Sequence, residues 1–389
     1  MARKVLFLHS SAGLYGADRQ LLTLARGLDR RRYEPLVVLP ERGELAPLLE
    51  EAGVEVLLQP LAALRRSLAS PAGAASTAAR VVRDRMALSR LARRHGAALI
   101  HSNTSVLLGG GPAARRAGVP HVVHVREIYT GAAGRAGEAL WPRLRGRILG
   151  ADAVVCISEA VAAQFEGAPN VHLIRDCLAR RPAETDRPDA RRAMEIAPDA
   201  FVVALIGRVS DWKGQELLAR ALAEPELAEI GAVGLVAGDA YAGNEQAEGE
   251  LASLGEKLGL GGRLQLLGFR DDVDTVLGAS DAVAIPSLRP EPLGQVALEA
   301  AWAGRPVVGS AHGGLPELVR DGETGLLVEP GDPAALAVAL RELADDRERA
   351  RRLGDAGARA ARDHDACEEM LAAVQALYDR LLAARERRQ

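Results

Sequence analysis

The stretch "FVVALIGRVSDWKGQELLARAL", residues 201–222, decides the fold. It opens with six apolar residues, stops at Gly207, and crosses a short polar loop that holds Arg208 and Lys213. Leu217, Leu218, Ala221 and Leu222 then recur at helical spacing. An unbroken apolar strand followed by a turn and an amphipathic helix is one unit of a parallel sheet covered on both faces. Working outward, "AVGLVAGDA", "RLQLLGF", "DAVAIPSL", "RPVVGSA" and "TGLLVEP" repeat the strand downstream. Upstream, "KVLFLHS", "YEPLVVLP", "VEVLLQ", "AALIHSN", "PHVVHVRE" and "ADAVVCIS" do the same. The first of these leads into "ADRQLLTLARGLD", with Leu21, Leu24, Ala25 and Leu28 on one helical face.

Residues 175–200 interrupt the pattern with three prolines and many charges, and read as a linker. The fold class is therefore α/β, with two Rossmann-like, doubly wound domains. The expected domains are 1–178 and 185–367, facing a central cleft in which ligands sit at the carboxyl ends of the strands. A length of 389 residues suits two domains. The terminal stretch has Met370, Val374, Leu377 and Leu381 in one stripe and reads as a long amphipathic helix.

Composition excludes some classes. No run of 18 apolar residues is present, so a spanning helix is not expected. The beginning, "MARKVLFLHS", reads as a first strand rather than a signal peptide. Cys156, Cys177 and Cys367 are scattered with no metal or disulfide spacing, which suggests a reducing cytoplasm. Residues 1–184 carry 26 Lys and Arg against 16 Asp and Glu, so the acidic excess lies in the second half. The basic first half includes Arg65, Arg66, Arg80, Arg83, Arg85, Arg90, Arg93 and Arg94. This arginine-rich segment reads as a solvated helix face, with contact to an anionic membrane surface as the alternative. No aromatic residues interleave with those arginines, which argues against nucleic acid as a partner.

Two loops carry the chemistry. Arg208 ends a strand and Lys213 precedes a helix, so two cations over one loop suit a diphosphate; an ordinary loop with exposed charges is the plain alternative. In "LRPEPLGQVALEA", residues 288–300, Glu291 and Glu299 invite an acid/base pair. Pro290 and Pro292 hold the chain extended around Glu291, Gly294 turns it, and a helix begins near Gln295. The positive end of that helix favours a phosphate. Glu299 lies within the helix and fits the two hydroxyls of a ribose, whereas Glu291 lies before it and fits a sugar hydroxyl. A capping acid explains Glu291 equally well.

Together "GRVSDWKG" and "PSLRPEPLGQVALEAAWAGRPVVGSAHGGLPELVRDGETGLLVEPGDP" resemble the retaining GT-B glycosyltransferases of family 4, and the resemblance covers nearly the whole chain. It implies that Glu291 and Glu299 form the family's E-x7-E element and that Arg208 and Lys213 neutralise the donor diphosphate. It also implies donor contacts at Gly207, Gly238, Asp239, Phe269, Arg270, Leu293, Gly294 and Gln295, and it matches Gly313, Gly314 and Glu317 to a late "GG..E" element. "SSAGLYGADRQ" is similar to the family's first glycine loop, so Gly13, Gly16 and Ala17 are candidates for phosphate or acceptor contact. It is not G-x-G-x-x-G, which weakens a nicotinamide dehydrogenase reading.

Many family members carry a His near the reacting sugar where this chain has Arg126, followed by Glu127. His124 lies two residues earlier, on the same strand face as Arg126. The resemblance implies catalytic roles for Arg126 and Glu127 beside Arg208, Lys213 and Glu291. It also implies that a terminal helix, about 368–389, returns to the first domain. The implied reaction is metal-independent, retaining transfer from a UDP- or GDP-sugar to a glycan, lipid-linked or small-molecule hydroxyl, with no further cofactor. "DVD" at 272–274 and "DHD" at 363–365 read as solvated charge rather than metal ligands. A nucleotide-sugar epimerase and a non-catalytic nucleotide-sugar binder are the alternatives.

Overall fold

The computed structural model describes residues 2–64, 71–130, 134–240 and 244–387, the side chains at 71–75 and 134–138 excepted. The chain forms two compact units: Met1–Ala179 together with Ala366–Gln389, and Arg180–Asp365.

Unit 1 holds the strands β1 (Arg3–Leu8), β2 (Tyr33–Leu39), β3 (Glu55–Leu58), β4 (Ala97–Ser102), β5 (His121–Val125), β6 (Ala153–Cys156) and β7 (Val171–Leu173). They form one sheet in the order β3-β2-β1-β4-β5-β6-β7, and every pair is parallel. Both faces are covered, as the apolar runs require. Val5 and Phe7 pack into one core with Leu21, Leu24 and Tyr33. Leu6 and Leu8, the alternate residues, pack into another with Leu36, Leu88 and Ile100. β7 escaped the sequence reading because it is three residues long, carries His172 at its centre and lies at the sheet edge.

Unit 2 holds β8 (Val202–Ile206), β9 (Val233–Ala237), β10 (Leu264–Gly268), β11 (Ala282–Ile285), β12 (Val307–Ser310) and β13 (Gly325–Val328). All pairs are again parallel, in the order β10-β9-β8-β11-β12-β13. The six strands expected in this half all form. The strand order reverses between β8 and β11, so the crevice for a ligand lies at their carboxyl ends.

Residues 175–200 are not a linker throughout. Arg187–Ala193 is a helix started by Asp186, whose side chain accepts from the Asp189 amide. Ala190, Met194 and Ile196 enter the core of unit 2. The prolines misled here: Pro188 stands in the first turn of the helix, where a missing N–H costs nothing.

The terminal helix Cys367–Glu386 belongs to unit 1. Met370, Val374, Leu377, Tyr378 and Leu382 join the core that contains Tyr33. The Tyr33 hydroxyl donates to Asp379 at 2.7 Å, and Gln375 Oε1 accepts from the Asp29 amide at 2.9 Å. The helix Pro71–His95 buries Asp84, Leu88, Ser89 and Ala92 and exposes Arg80, Arg83, Arg85, Arg90, Arg93 and Arg94. Arg65 and Arg66 lie outside the described residues. Among the described residues no helix is long and apolar enough to cross a membrane.

The cysteine reading needs correction. Cys177 and Cys367 form a disulfide across a sequence separation of 190. Spacing along the chain could not show this, because the fold brings the end of the first segment of unit 1 beside the start of its return. The pairing removes the cysteine argument for a reducing compartment. Cys156 is free and buried, and burial pushes its thiol up to about 12. The disulfide closes a loop that contains all of unit 2, and such a cross-link stabilises by about 2–4 kcal/mol. Reductant, or Cys367→Ser, should lower the thermal transition of unit 1 and leave that of unit 2 in place. Superimposable calorimetric traces with and without reductant would show that the bond does not staple the unit.

Candidate functional site

In unit 2 two loops meet where the strand order reverses. One follows β8 and carries Arg208 and Lys213; the other follows β11 and carries Glu291. Their backbones are in contact. Gly214 adopts φ +84°, and a Cβ there would stand 2.1 Å from the Pro286 carbonyl oxygen. The Leu288 amide donates to the Trp212 carbonyl at 2.7 Å, and Arg289 pairs with Asp211 at 2.7 Å. The third wall comes from the turn after β12. Gly313 pairs with Glu291 as an isolated parallel bridge, and the Gly314 amide donates to the Glu291 carbonyl at 2.7 Å. A Cβ on Gly313 would lie 2.4 Å from that carbonyl oxygen. These approaches exclude any side chain, which is why glycine stands at both positions.

Lys213 Nζ donates to Glu291 Oε1 at 2.7 Å, and Ser287 Oγ donates to the same oxygen at 2.6 Å. The Lys213 ammonium also lies 4.4 Å from the centre of the Trp212 ring. The Glu291 side chain is 4% exposed and that of Lys213 is 25% exposed. Glu291 is therefore not a helix cap. It is a buried carboxylate held by one cation and one hydroxyl. Ser287 and Trp212 were not singled out in the sequence, although both lie within the quoted motifs.

The helix Gln295–Trp302 begins at Gly294, as expected, and points its positive end at this junction. Glu299 sits half-buried on that helix, and Glu291 precedes it. The arrangement separates the two carboxylates along the chain axis and gives no support to an acid/base pair. Leu293 is buried beneath the turn. Gln215 donates to the Arg208 carbonyl at 3.0 Å and so fixes the loop from inside. The ends of β8, β9 and β10 are joined through glycine backbone. The Gly207 amide donates to the Ala237 carbonyl at 2.8 Å, and the Gly238 amide donates to the Gly268 carbonyl at 2.7 Å. Asp239 accepts from the Val209 amide through its carbonyl at 2.9 Å. Phe269 is exposed beside Arg270, whose guanidinium makes two bonds to Asp272 at 2.7 and 2.5 Å. Arg180 holds Asp274 with two bonds of 2.8 Å, and Arg181 holds Asp365 at 2.6 Å. Carboxylates of both D-x-D stretches thus serve as arginine partners.

In unit 1 the candidate residues gather at the carboxyl ends of β1, β4 and β5. His9 Nε2 donates to Asp18 Oδ1 at 2.7 Å, and Asn103 Nδ2 donates to His9 Nδ1 at 3.1 Å. Ser11 Oγ and the Tyr15 amide also donate to the Asp18 carboxylate. Burial works to raise the Asp18 pKa, but the His9 bond and charge outweigh it and hold the carboxyl below its ordinary value. Asp18, unnoticed in the sequence, thus organises the loop with Gly13, Gly16 and Ala17. The Ala17 carbonyl accepts from Asn103 at 3.1 Å. A Cβ on Gly13 would meet only the Asp18 and Tyr15 side chains, at 3.6 and 3.9 Å. The packing of this unit therefore leaves room there.

Arg126 is buried and ion-paired with Asp176. Its Nε donates to the Asn103 carbonyl at 3.1 Å. Burial draws the guanidinium down to about 9, so it remains a cation at neutral pH. Its charge is engaged inside the unit by Asp176. Asp176 lay in the stretch read as linker, so local pattern could not reveal the pairing. His124 shares the strand face of Arg126 and lies 3.9 Å from Asp176. Its ring stacks on His101 with centroids 5.4 Å apart. Neither ring nitrogen of His124 makes a hydrogen bond among the described residues. It is a core histidine. Glu127 accepts from Ser105 Oγ, from the Ser105 amide at 3.2 Å and from the Arg126 amide at 3.1 Å. Burial still lifts its pKa above the usual carboxylate value. The remaining histidine beside the unit 2 loops, His312, donates to the Ser287 carbonyl at 2.8 Å.

Comparison with known proteins agrees with this layout. Residues 186–360 match the family described as Glycosyl transferases group 1, and residues 15–175 match Glycosyltransferase Family 4. The D-inositol 3-phosphate glycosyltransferase of Salinispora tropica is 32% identical over 279 residues, 64% of this chain and 57% of that protein. The protein of the same name from Actinosynnema mirum is 40% identical over 166 residues, 41% of this chain and 39% of that one. The chain thus spans about half the length of the curated relatives it matches. Among solved structures, Anabaena HepE (Alr3699) in complex with UDP-glucose aligns with a TM-score of 0.81 at 27% identity, over 97% of this chain and all of that one. Sucrose-phosphate synthase from Thermosynechococcus elongatus aligns at 0.78 and 23% identity, over 98% of this chain and 100% of that one, a likeness of fold alone.

The buried histidines of unit 1 make its stability depend on pH. Burial holds His101 and His124 well below their ordinary value and His121 down to about 3. In the unfolded chain each takes a proton near pH 6.5. Below that pH the unfolded state binds more protons, so stability falls with pH, by up to about 4 kcal/mol per unit for three groups. Urea titrations at pH 7.5, 6.5 and 5.5 should show the midpoint of unit 1 dropping over the last step. A midpoint that holds steady to pH 5.5 would mean that these rings are not kept neutral.

Proposed function

From a chain that belongs to the glycosyltransferases of group 1 and family 4 and has their GT-B fold, we propose an enzyme that moves a sugar from a nucleotide diphosphate sugar to a hydroxyl acceptor. The observation that carries the reading is the junction of the Lys213 and Glu291 loops at the reversal of strand order in unit 2. UDP-glucose is the donor best supported, because HepE, similar across the whole chain, is known in complex with it. The acceptor is a small polyol phosphate, a glycan or a lipid-linked hydroxyl. The first of these follows the name shared by the curated relatives. Unit 2 takes the donor and unit 1 the acceptor.

The chemistry follows from the charges. Cleavage of the sugar–phosphate bond leaves negative charge on the diphosphate, and Arg208, Lys213 and the start of the helix Gln295–Trp302 stabilise it. No metal is then required for that task. Glu291 orients the donor sugar and Glu299 holds the ribose hydroxyls. Among the described residues none stands ready as a covalent nucleophile, which suits retention by same-face substitution, with the departing phosphate accepting the acceptor's proton. Gly13, on the loop organised by Asp18, leaves space for backbone to approach a ligand. The exposed arginines of the helix Pro71–His95 suit an acceptor held at an anionic surface.

A second reading, binding without transfer, draws on one observation. Arg126 stands where many family members carry His, and its charge is engaged by Asp176. Incubation with UDP-glucose alone and with an acceptor panel that includes inositol phosphate separates these readings. Transfer to an acceptor supports the first, an epimerised nucleotide sugar without acceptor supports an epimerase, and a UDP-dependent rise in melting temperature with neither product supports a binder.

For the enzyme, Lys213→Ala should lower transfer by about 10²–10³-fold, the cost of losing one preorganised group. It should also destabilise unit 2, because the buried Glu291 carboxylate loses its cation. Adding Glu291→Gln to that variant should recover stability without recovering transfer. If Lys213→Ala and Glu299→Ala both keep the parent rate with every accepted donor, the assignment of this site is wrong.

A further inference from the structure

A second concentration of charge lies at the opposite edge of the unit 2 sheet. Asp281 immediately precedes β11 and is buried. Its Oδ1 accepts from Arg187 at 2.8 Å and Arg347 at 2.5 Å, and its Oδ2 accepts from Arg191 and the Val202 amide, both at 2.8 Å. Both oxygens are saturated. Arg305, two residues before β12, arrives as a fourth guanidinium with no oxygen left for it. Among the described residues it makes no ion pair, and its Nε is buried with no hydrogen-bond partner. Burial, then repulsion from Arg187, lowers its pKa to about 10, so the group is charged at neutral pH. Asp281 attracts it only from beyond ion-pair distance and is already saturated by other donors, so this half-buried guanidinium is a costly arrangement.

Arg305 lines a cavity of about 540 Å³, a size that suits a small ligand. Arg359 and Arg362 line it as well, and so does Trp302, whose ring lies near both Arg181 and Arg362, at 5.4 and 5.5 Å. Of the three carboxylates on its wall, Asp274 is held by Arg180, while Glu184 and Asp355 are exposed. No carboxylate stands within salt-bridge distance of Arg305 among the described residues. The sugar-nucleotide junction lies at the carboxyl ends of the same strands, about 13 Å away along a four-residue strand.

We propose that this cavity is a second anion site, which takes a phosphate group, free or carried on a small molecule, against Arg305. The planar guanidinium matches a phosphate face through paired N–H donors. A bound dianion would also relieve the repulsion among Arg305, Arg187 and Arg191. The site does not depend on the reading of the donor junction, because none of its residues belongs to that junction.

The test uses the full chain carrying Lys213→Ala, so that phosphate at the donor loop contributes less, and compares variants that leave that loop otherwise unchanged. Melting temperatures are compared in chloride, inorganic phosphate and glycerol 3-phosphate at equal ionic strength, with and without Arg305→Leu or Arg305→Gln. Phosphate should raise the parent by several degrees through mass action and leave both Arg305 variants unmoved. In chloride the variants should melt no lower than the parent, since removing an uncompensated charge costs little. A larger rise with the ester than with inorganic phosphate would assign the cavity to phosphorylated small molecules, and an equal rise to the free ion. The proposal is overturned by an equal phosphate response in parent and variants, or by none in the parent. It is also overturned if the variants lose the same stability in every buffer, because Arg305 would then be serving Glu184 or Asp355 within the chain.

Discussion

Backbone lies against backbone where Gly214 meets Pro286 and Gly313 meets Glu291, and the rest of unit 2 is arranged around those two contacts. A parallel sheet brings the ends of its strands to one edge but does not by itself make the following loops touch. Here they touch because no Cβ intervenes. Once they do, the Lys213 ammonium falls within 2.7 Å of Glu291. Trp212 supports that ammonium from one side and Ser287 supports the carboxylate from the other. Substituting a larger residue at Gly214 or Gly313 would therefore separate the charges before it altered any of them.

The same economy governs unit 1. His9, Asp18 and Asn103 tie the ends of β1 and β4 to the first helix, and Arg126, Asp176 and Asn103 tie the end of β5 to the chain just before it leaves the unit. A buried polar group is tolerated only when another group satisfies it. Most of this network is closed by such pairings, and His124, without a hydrogen bond among the described residues, is kept neutral by burial. Asp176 accompanies Arg126, which is how the unit accepts a buried cation at the end of β5.

Much of this was legible in the sequence. The apolar runs located twelve of the thirteen strands among the described residues, because a strand buried on both faces favours apolar residues along its length. The loops with Arg208, Lys213 and Glu291, and the helix carrying Glu299, were legible because prolines and glycines mark turns and helix starts locally. What remained hidden depends on contacts between distant segments. The Cys177–Cys367 bond, the Asp176 partner of Arg126 and the Asp281 cluster each join residues more than forty positions apart. No local periodicity records such a pairing. The helix Arg187–Ala193 was hidden for another reason: its first-turn proline and dense charge look like a linker until Ala190 is seen in the core.

The two charged clusters of unit 2 differ in a way that bears on what each can do. At the junction, Lys213 and Glu291 satisfy each other, so a ligand must offer both a better anion for the lysine and a donor for the glutamate. The sugar diphosphate of the proposed function would do this, with phosphate oxygens for one and hydroxyls for the other, and the exchange would leave neither charge buried alone. Binding that replaces an internal ion pair is sensitive to the whole ligand, because either half alone strands a partner. At the opposite edge Arg305 has nothing to give up, and any oxyanion of the right size gains the full interaction. As proposed, the junction would favour discrimination and the arginine cavity affinity towards a single group, although the same sheet supports both.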